Sequence, residues 1–268
     1  AIPDEKADDN EPVLKNLSFT IPHGRKVGIL GSIGSGKSTL VNCLNHHLPV
    51  RPGTIFWGGV DITTMARRDW RQFVRTVTQD PYLFSDTIVE NVRFGAQRDD
   101  IETIEGQINL SAAPSEVDQV LGLSELRDDV GRFAEGDQTI VGEKGIMLSG
   151  GQKQRLSIAR ALLTPSDLII MDNVLSAVDY ETERKILKGV FEHLKGQSVL
   201  VVSHRISALE MMAEILVLEK GEIIARGSHR QLLASSDYYR ETWLLQQHEP
   251  ESVADDTNSK ARSNPSAA

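Results

Sequence analysis

The residues best suited to hold phosphate form a glycine-rich run at positions 28–40, GILGSIGSGKSTL. In the spacing Gly31-x-x-x-x-Gly36-Lys37-Ser38, the glycines let successive backbone N–H groups turn toward one anion. The Lys37 ammonium can then bridge the β- and γ-phosphates of a nucleotide, and the Ser38 hydroxyl can bind Mg²⁺. An apolar stretch, KVGIL, precedes the glycines and a helical pattern follows them, as this chemistry requires. The positions predicted to hold the phosphates are Gly31, Ser32, Ile33, Gly34, Ser35, Gly36, Lys37, Ser38 and Thr39.

A carboxylate that could share the metal stands at the end of another apolar run. Asp172 follows the residues LIIM at positions 168–171, and an acid placed there would hold Mg²⁺ through water. On its own, an aspartate after a buried strand would be weak evidence for a metal ligand, because many buried strands end in an aspartate that begins a turn. Together with the glycine-rich run, Asp172 is predicted to be a metal ligand.

The elements that position these residues are short β-prone runs: VLKNLSFTI, KVGIL, GTIFWGG, RTVTQ, DLIIM, SVLVVS and EILVLEKGEIIARG. Two of them, at 168–171 and 199–202, are continuously apolar, as strands covered on both faces are. This pattern predicts a central, mostly parallel sheet flanked by helices. The first and last runs, at 13–21 and 214–227, alternate more between apolar and polar residues, which predicts antiparallel edge strands.

Between Ser85 and about Leu163 the pattern changes to helical stretches broken by Gly and Pro. We therefore predict an α/β fold with a P-loop NTPase (RecA-like) core and an antiparallel β edge, formed by residues 1–84 and 164–247. A helical subdomain inserted over residues 85–163 would carry the remaining helices. Residues 248–268 are rich in Ser, Asp, Asn and Pro without apolar periodicity, and they are predicted to form a disordered tail.

Composition narrows the possible partners. The formal net charge of −9 argues against nucleic acid, which requires clustered Lys and Arg on one face. A single cysteine, Cys43, rules out an internal disulfide framework and favours a reducing compartment. No run of about 18 apolar residues occurs, so we expect no membrane-spanning segment in the sequence.

A second motif gives the chain its family resemblance. The segment LSGGQKQRLSIARALL begins at Leu148, and it stands in a series with the phosphate loop, Gln79 in TVTQDPYLF, Asp172, SAVD at 176–179 and His204 in VVSHR. Over nearly the whole predicted folded body, this series resembles the nucleotide-binding domain of ABC transporters. The resemblance implies ATP and Mg²⁺ as ligands.

The resemblance also implies a role for each motif. Ser149, Gly150, Gly151 and Gln152 would meet the γ-phosphate of ATP held by a second nucleotide-binding domain, so that two domains pack head to tail. The plainer alternative is that Ser149 only caps a helix. The remaining roles are a Gln79 amide that reaches Mg²⁺ or the attacking water, a His204 ring that contacts the γ-phosphate, and an Asp179 carboxylate at the dimer interface.

Three further segments resemble ABC domains of exporter type: LFSDTIVENVRFG, TIVGEKGIMLSGGQ and GSHRQLLASSDYYRETWLLQQ. In such domains, the position of Glu143 lies near the coupling helices of the membrane domain. Exporters usually carry their transmembrane domains on the same chain, so we expect this sequence to be an excised domain. Its expected place is the cytoplasmic face of a membrane, as a soluble domain of a transporter.

Two positions depart from the family pattern. Alignment of the N-terminus places Ile2 where the family usually stacks an aromatic ring on adenine, which predicts a modest loss of nucleotide affinity. Asn173 occupies the position of the usual catalytic glutamate, and a neutral amide is far too weak a base to activate water. ATP binding should survive while hydrolysis at this site is impaired.

Three interpretations of Asn173 remain open. The chain resembles the degenerate-site subunit of a heterodimeric exporter, whose partner keeps the glutamate, and the intact LSGGQ favours this interpretation. Alternatively, Asn173 is an engineered substitution that traps ATP, or another base compensates for it. For the whole chain, two rival functions are an ATP-gated dimerisation or regulatory module that hydrolyses nothing, and a soluble ATPase acting on DNA or ribosomes, which the acidic charge disfavours.

Overall fold

The computed structural model describes residues 12–94, 113–143 and 145–248 of the 268-residue chain. Within these ranges, one sheet of six strands forms the centre of the fold, in the order β4-β5-β6-β1-β7-β8. All neighbours pair in parallel except β7 and β8, which are antiparallel. The strands of this sheet are β1 (Lys26–Leu30), β4 (Val74–Val77), β5 (Leu168–Asp172), β6 (Ser198–Ser203), β7 (Glu214–Glu219) and β8 (Glu222–Gly227). A separate hairpin pairs β2 (Phe56–Trp57) with β3 (Val60–Asp61).

Helices connect the strands and cover both faces of the sheet. In chain order they are α1 (Lys37–Leu44), α2 (Arg67–Phe73), α3 (Ile88–Arg93), α4 (Pro114–Leu123), α5 (Arg127–Gly131), α6 (Gly150–Leu163), α7 (Tyr180–His193), α8 (His229–Ser235) and α9 (Asp237–His248). Helices α3 to α6 all fall within the segment predicted to be a helical subdomain, and the boundaries of that subdomain stay a prediction. None of the helices in the described ranges is long and apolar enough to cross a membrane.

The core has two parts, one on each face of the sheet. Because successive strand residues point to opposite faces, Ile169 and Met171 of β5 pack into one cluster, whereas Leu168 and Ile170 pack into the other. The first cluster contains the apolar side of α6 and of α7. The second contains the apolar side of α1. Helix α1, which follows the phosphate loop, therefore packs on one face of the sheet. Helix α6, which begins within LSGGQ, packs on the opposite face.

The predicted α/β fold with a mostly parallel sheet is confirmed, and β8 forms its antiparallel edge. The prediction of an edge strand at residues 13–21 is wrong, because this segment has extended and irregular backbone without strand pairing. It contacts the turn after β7 through the Lys15 N–H, which donates to the Gly221 carbonyl at 2.8 Å. Its apolar side chains, Leu14, Leu17, Phe19 and Ile21, pack against the second core cluster, which explains the alternating pattern.

At the C-terminus, α9 extends to His248, the first residue of the predicted tail. The rest of that predicted tail lies outside the described residues.

Candidate functional site

The glycine-rich run forms the loop between β1 and α1, at the carboxyl edge of the parallel sheet. Lys37 is the first residue of α1, and its Nζ donates to the carbonyl oxygens of Gly31 at 2.6 Å and Ser32 at 2.7 Å. The side chain thus lies along the loop that it was predicted to serve. Gly36 precedes the helix with φ 103°, and no side chain caps the first turn of α1. Its N–H groups are therefore available to an anion, with the positive end of the helix dipole behind them.

The loop tolerates only glycine at its first position. A Cβ atom at Gly31 would lie 2.4 Å from Ser35 Oγ and 2.6 Å from the Leu218 carbonyl oxygen. Ser35 is buried, and its own carbonyl accepts from Gly221 N–H at 2.9 Å, which ties the loop to the turn between β7 and β8. By contrast, the side chain of Ile33 is 98% exposed at the tip of the loop.

Asp172 ends β5, as predicted, and one strand, β6, separates β5 from β1. Burial raises the pKa of its carboxyl group, and the positive charge of Lys37 opposes that rise. Burial in turn lowers the pKa of Lys37, and Asp172 opposes that fall. The negative charge of Asp172 and the positive charge of Lys37 therefore stabilise each other across the carboxyl edge of the sheet. Each would gain from an additional opposite charge, such as a metal ion for Asp172 or a phosphate for Lys37.

Asn173 adopts φ 52°, a left-handed conformation that Asn accepts more readily than most residues. Its N–H donates to the Val202 carbonyl of β6 at 2.8 Å, so the backbone of this residue is fixed to the sheet. The side-chain amide then contacts both other residues that were predicted to act on water. Nδ2 donates to Gln79 Oε1 at 3.1 Å, and Oδ1 lies 2.9 Å from His204 Nδ1.

The His204 ring is neutral at physiological pH. Burial lowers its pKa below the ordinary value of 6.5, and the positive charges of Lys37 and Arg205 lower it further. A neutral ring carries one proton, and the amide oxygen of Asn173 can only accept. With Oδ1 of Asn173 facing the ring, the neutral histidine would carry its proton on Nδ1 and leave Nε2 as an acceptor. Gln79, Asn173 and His204 thus form one hydrogen-bonded chain.

The LSGGQ residues have a capping role that is visible in the structure. Ser149 caps α6, its Oγ accepting from Gln152 N–H at 3.2 Å while Gln152 Oε1 accepts from Ser149 N–H at 2.9 Å. Gln152 Nε2 also donates to Asp129 Oδ1 at 2.9 Å. A Cβ atom at Gly151 would lie 2.8 Å from the Ala177 carbonyl oxygen, so this position requires glycine. Ser149 and Gly150 themselves remain exposed.

Asp179 likewise has a local partner, because its carboxylate caps α7. Thr182 N–H donates to Asp179 Oδ1 at 2.9 Å, and hydrogen bonds with Thr182 lower the pKa of this carboxyl group. The proposed interface role of Asp179 is an addition to this cap and stays a prediction.

The structure thus brings some of the predicted residues together and separates others. Gln79, Asn173 and His204 are in contact, while Lys37 and Asp172 interact through their charges. Ser38 and Thr39 lie in the first turn of α1.

The LSGGQ residues are separate from this group. They contact Asp129 and Ala177, and their helix α6 packs on the face of the sheet opposite to α1. Ile2 lies outside the described residues.

Three polar residues that join these motifs were missed in the sequence. Buried Gln154 of α6 donates to the Gln79 carbonyl at 3.3 Å and accepts from Ala177 N–H at 3.3 Å. Arg205 Nη1 donates to the Val178 carbonyl oxygen at 3.1 Å. Gln246 of α9 contacts the backbone next to His204. The only sequence signal was the position of Gln154 in LSGGQKQR, where it falls on the apolar side of the helix.

The loop between β1 and α1, with an aspartate at the end of β5 at the same edge of the sheet, defines a nucleotide-binding domain of the P-loop class. Residues 14–176 match the family model described as "ABC transporter", and the chain belongs to this family. Within it, the chain corresponds to the nucleotide-binding domain of exporter-type members. Membership implies ATP binding.

Curated relatives cover most of this chain. The multidrug resistance-like ATP-binding protein MdlA of Escherichia coli is 39% identical over 240 residues, which are 90% of this chain and 38% of the relative. The probable multidrug resistance ABC transporter ATP-binding/permease protein YheI of Bacillus subtilis is 40% identical over 234 residues, 87% of this chain and 38% of the relative. An ATP-dependent lipid A-core flippase of Pseudomonas fluorescens is 38% identical over 239 residues, 89% of this chain and 38% of the relative. The chain therefore spans well under half the length of these relatives.

A solved structure agrees with this assignment. The structure of a bacterial Atm1-family ABC exporter with ATP bound superposes with a TM-score of 0.80 and 34% sequence identity. The match covers 91% of this chain and 41% of that exporter chain.

Proposed function

We propose that this chain is the ATP-binding motor domain of one half of an ABC exporter and that its own Walker site, formed by the phosphate loop and Asp172, hydrolyses ATP poorly. It would pair head to tail with a second nucleotide-binding domain that keeps the catalytic glutamate. The pair would work at the cytoplasmic face of a membrane and drive transmembrane domains that export a substrate. The observation that carries this proposal is the amide of Asn173 between Gln79 and His204.

The residues of the phosphate loop fit ATP and Mg²⁺. The uncapped first turn of α1 offers N–H groups, and the Nζ of Lys37 lies beside the loop carbonyls with a pKa lowered by burial. Because burial disfavours the charged ammonium, a nearby phosphate would stabilise it. Asp172 supplies a half-buried carboxylate and Ser38 a hydroxyl, the hard oxygen ligands that Mg²⁺ prefers. The bound ion would neutralise charge that develops on the phosphate.

The site lacks a strong base near the position where water would be activated. The Asn173 amide cannot accept a proton at physiological pH. Both of its polar atoms, Oδ1 and Nδ2, already have hydrogen-bond partners. His204 is the nearest alternative base, yet burial and nearby cations lower its pKa, which weakens it in that role. Asn173 and Gln79 can therefore hold a water by hydrogen bonds without removing its proton. This favours an impaired site over one with a compensating base.

The positions of the two phosphate-binding motifs support a head-to-tail arrangement. Helices α1 and α6 pack on opposite faces of the sheet, so one domain does not close its own phosphate loop with its own LSGGQ. Ser149 and Gly150 are exposed at the start of α6, where N–H groups and the helix dipole favour an anion. A second domain facing this surface would place its ATP there. The chain would thus complete its partner's site while its partner completes the impaired one.

Variants of this chain alone can test the pairing. A chain carrying Asn173→Glu and Ser149→Arg would have a base at its own site, but its dimer would lack a usable LSGGQ. Mixed with the unmodified chain, it would find an intact Ser149 opposite its own ATP. We expect each protein alone to hydrolyse ATP slowly and the mixture to exceed their sum by at least about tenfold, since a restored base contributes ~10²–10⁴ in rate. Phosphate release at saturating ATP and high protein concentration measures this.

The matched control replaces the unmodified chain with its Ser149→Arg variant, which leaves no usable LSGGQ in the mixture. Turnover should then stay at the sum of the separate proteins. A mixture that gains nothing would contradict the head-to-tail arrangement. Rapid hydrolysis by the unmodified chain alone would contradict the impaired site.

A further inference from the structure

The C-terminal helix α9 is joined to the segment that carries His204 by one side chain. Gln246 Oε1 accepts from Ile206 N–H at 2.8 Å, and Gln246 Nε2 donates to the His204 carbonyl at 2.8 Å. One amide therefore satisfies two backbone groups that lie just after β6, beyond the hydrogen bonding of the sheet. The two bonds fix both the position and the direction of this segment.

Helix α9 is well placed to hold Gln246 still. Tyr239 is fully buried, and its hydroxyl lies 2.8 Å from His229 Nδ1 of α8. Trp243 packs against the first core cluster one turn later. Residues 239, 243 and 246 are spaced i, i+4 and i+7, so they share the face of α9 that points into the protein. Leu245 on the other side is 69% exposed.

The Arg205 side chain ties the same segment to the residues that precede α7. Arg205 Nη1 donates to the carbonyl oxygens of Leu175 at 3.2 Å and Val178 at 3.1 Å. These contacts fix the Arg205 side chain, and the Arg205 N–H donates to Ser203 Oγ at 2.9 Å. Gln246 holds the two backbone groups on either side of Arg205. If Gln246 were lost, the His204 carbonyl and the Ile206 N–H would lose their partners, and the segment could shift without disturbing the strand.

We propose that Gln246 is a positioning residue for His204, so that the docking of α9 sets the contact between His204 and Asn173. The catalytic consequence rests on the function proposed above. A displaced imidazole would break its 2.9 Å contact with Asn173 and lose alignment with the water and phosphate. Small displacements of this kind reduce rates strongly while ATP binding, which depends on the phosphate loop, is retained.

The test compares Gln246→Met with Gln247→Met. Met matches the length and helix propensity of Gln but cannot form the two hydrogen bonds. Gln247 is the neighbouring exposed residue on α9, so its replacement controls for the change in composition. The first measurement is the ¹⁵N NMR spectrum of the His204 ring, assigned with a His204→Gln variant. We expect the Nδ1-protonated signal to shift or broaden in Gln246→Met and to remain unchanged in Gln247→Met.

The second measurement is ATP hydrolysis in the Asn173→Glu background. Gln246→Met should lower kcat by about 10- to 100-fold with less than about a twofold change in KM, because positioning and not binding is lost. Gln246→Glu keeps the acceptor for Ile206 N–H but sets a carboxylate oxygen against the His204 carbonyl oxygen, so it should lower kcat as well. This variant also preserves the test if the Met variant folds poorly.

An unchanged His204 spectrum in Gln246→Met would overturn the proposal, and so would an unchanged kcat in an active background. If the Asn173→Glu chain has no turnover at all, the proposed function fails instead. The ring spectrum still decides the role of Gln246 in that case, because it requires no catalysis.

Discussion

Asn173 Oδ1 lies 2.9 Å from His204 Nδ1, and this contact couples the tautomer of the histidine to the orientation of the amide. With Oδ1 turned to His204, Nδ2 points to Gln79 Oε1 at 3.1 Å. The two residues on which water activation would depend are therefore connected through a side chain that is not a base. This relationship separates two properties of the site. The three side chains are joined by hydrogen bonds, whereas the amide of Asn173 cannot itself remove a proton.

Replacing Asn173 with Glu should raise ATP turnover without a comparable change in ATP affinity. The carboxylate adds a base next to Gln79 and His204, which contributes about 10²- to 10⁴-fold in rate. The phosphate loop and Asp172 are unchanged, so affinity should remain within about twofold. Because φ is 52° at this position, Glu should also cost about 1 kcal/mol of stability relative to Asn. Single-turnover phosphate release and nucleotide titration measure the two effects separately.

Asn173→Gln is the matched control, since it has the length of Glu and no basicity. It should remain as slow as the unmodified chain. Equal acceleration by Gln and Glu would show that length, and not proton transfer, limits the reaction.

The stability of the domain should fall as the pH drops below about 6.5, partly because of His204. Its pKa in the folded protein lies below the ordinary value of 6.5, so in this window the unfolded chain binds more protons than the folded one. Stability is then fully present above that value and is lost as the pH falls toward the folded pKa. Melting temperatures between pH 7.5 and 5.5 should show a shallower decline in His204→Gln.

The difference between the two proteins isolates His204, because burial and the charge of Arg67 also lower the pKa of His46. A His46→Gln variant should remove a separate part of the decline. Parallel pH profiles for the unmodified chain and His204→Gln would contradict the depressed pKa.

Gly31→Ala should destabilise the phosphate loop. The added Cβ would lie 2.6 Å from the Leu218 carbonyl oxygen, a backbone atom that cannot turn aside, and overpacking of this kind costs about 1–3 kcal/mol. We expect ATP affinity to fall along with the melting temperature. Gly196→Ala is the control, because a Cβ there meets nothing within 4 Å. Similar losses in both variants would show that the close approach at Gly31 is not the cause.

The features that could be predicted from sequence are those that depend on short, continuous segments. Glycine spacing predicts the loop before Lys37, and a capping pattern predicts the helix that begins after Ser149. An apolar run predicts the buried strand that ends at Asp172. The alternation at residues 13–21 was wrongly assigned to a strand, because packing of one face against a core produces the same pattern without a paired neighbour. The contact between Gln246 and His204 joins residues 42 positions apart. No local pattern predicts which polar side chain will reach a distant carbonyl.

The ion pair between buried Glu183 and partly exposed Arg205 gives a final prediction about stability. Glu183 Oε2 lies 3.3 Å from Arg205 Nη1, and only 1% of the Glu183 side chain is exposed. Burial raises the pKa of Glu183, and a hydrogen bond from Ser207 and the Arg205 charge oppose that rise, so Arg205→Met would leave a buried acid without its cation and cost about 3 kcal/mol. Adding Glu183→Gln should recover much of the loss, with a coupling energy of about 1–3 kcal/mol in urea denaturation. Additive single effects would mean that Arg205 stabilises the domain mainly through the Leu175 and Val178 carbonyls and not through its ion pair.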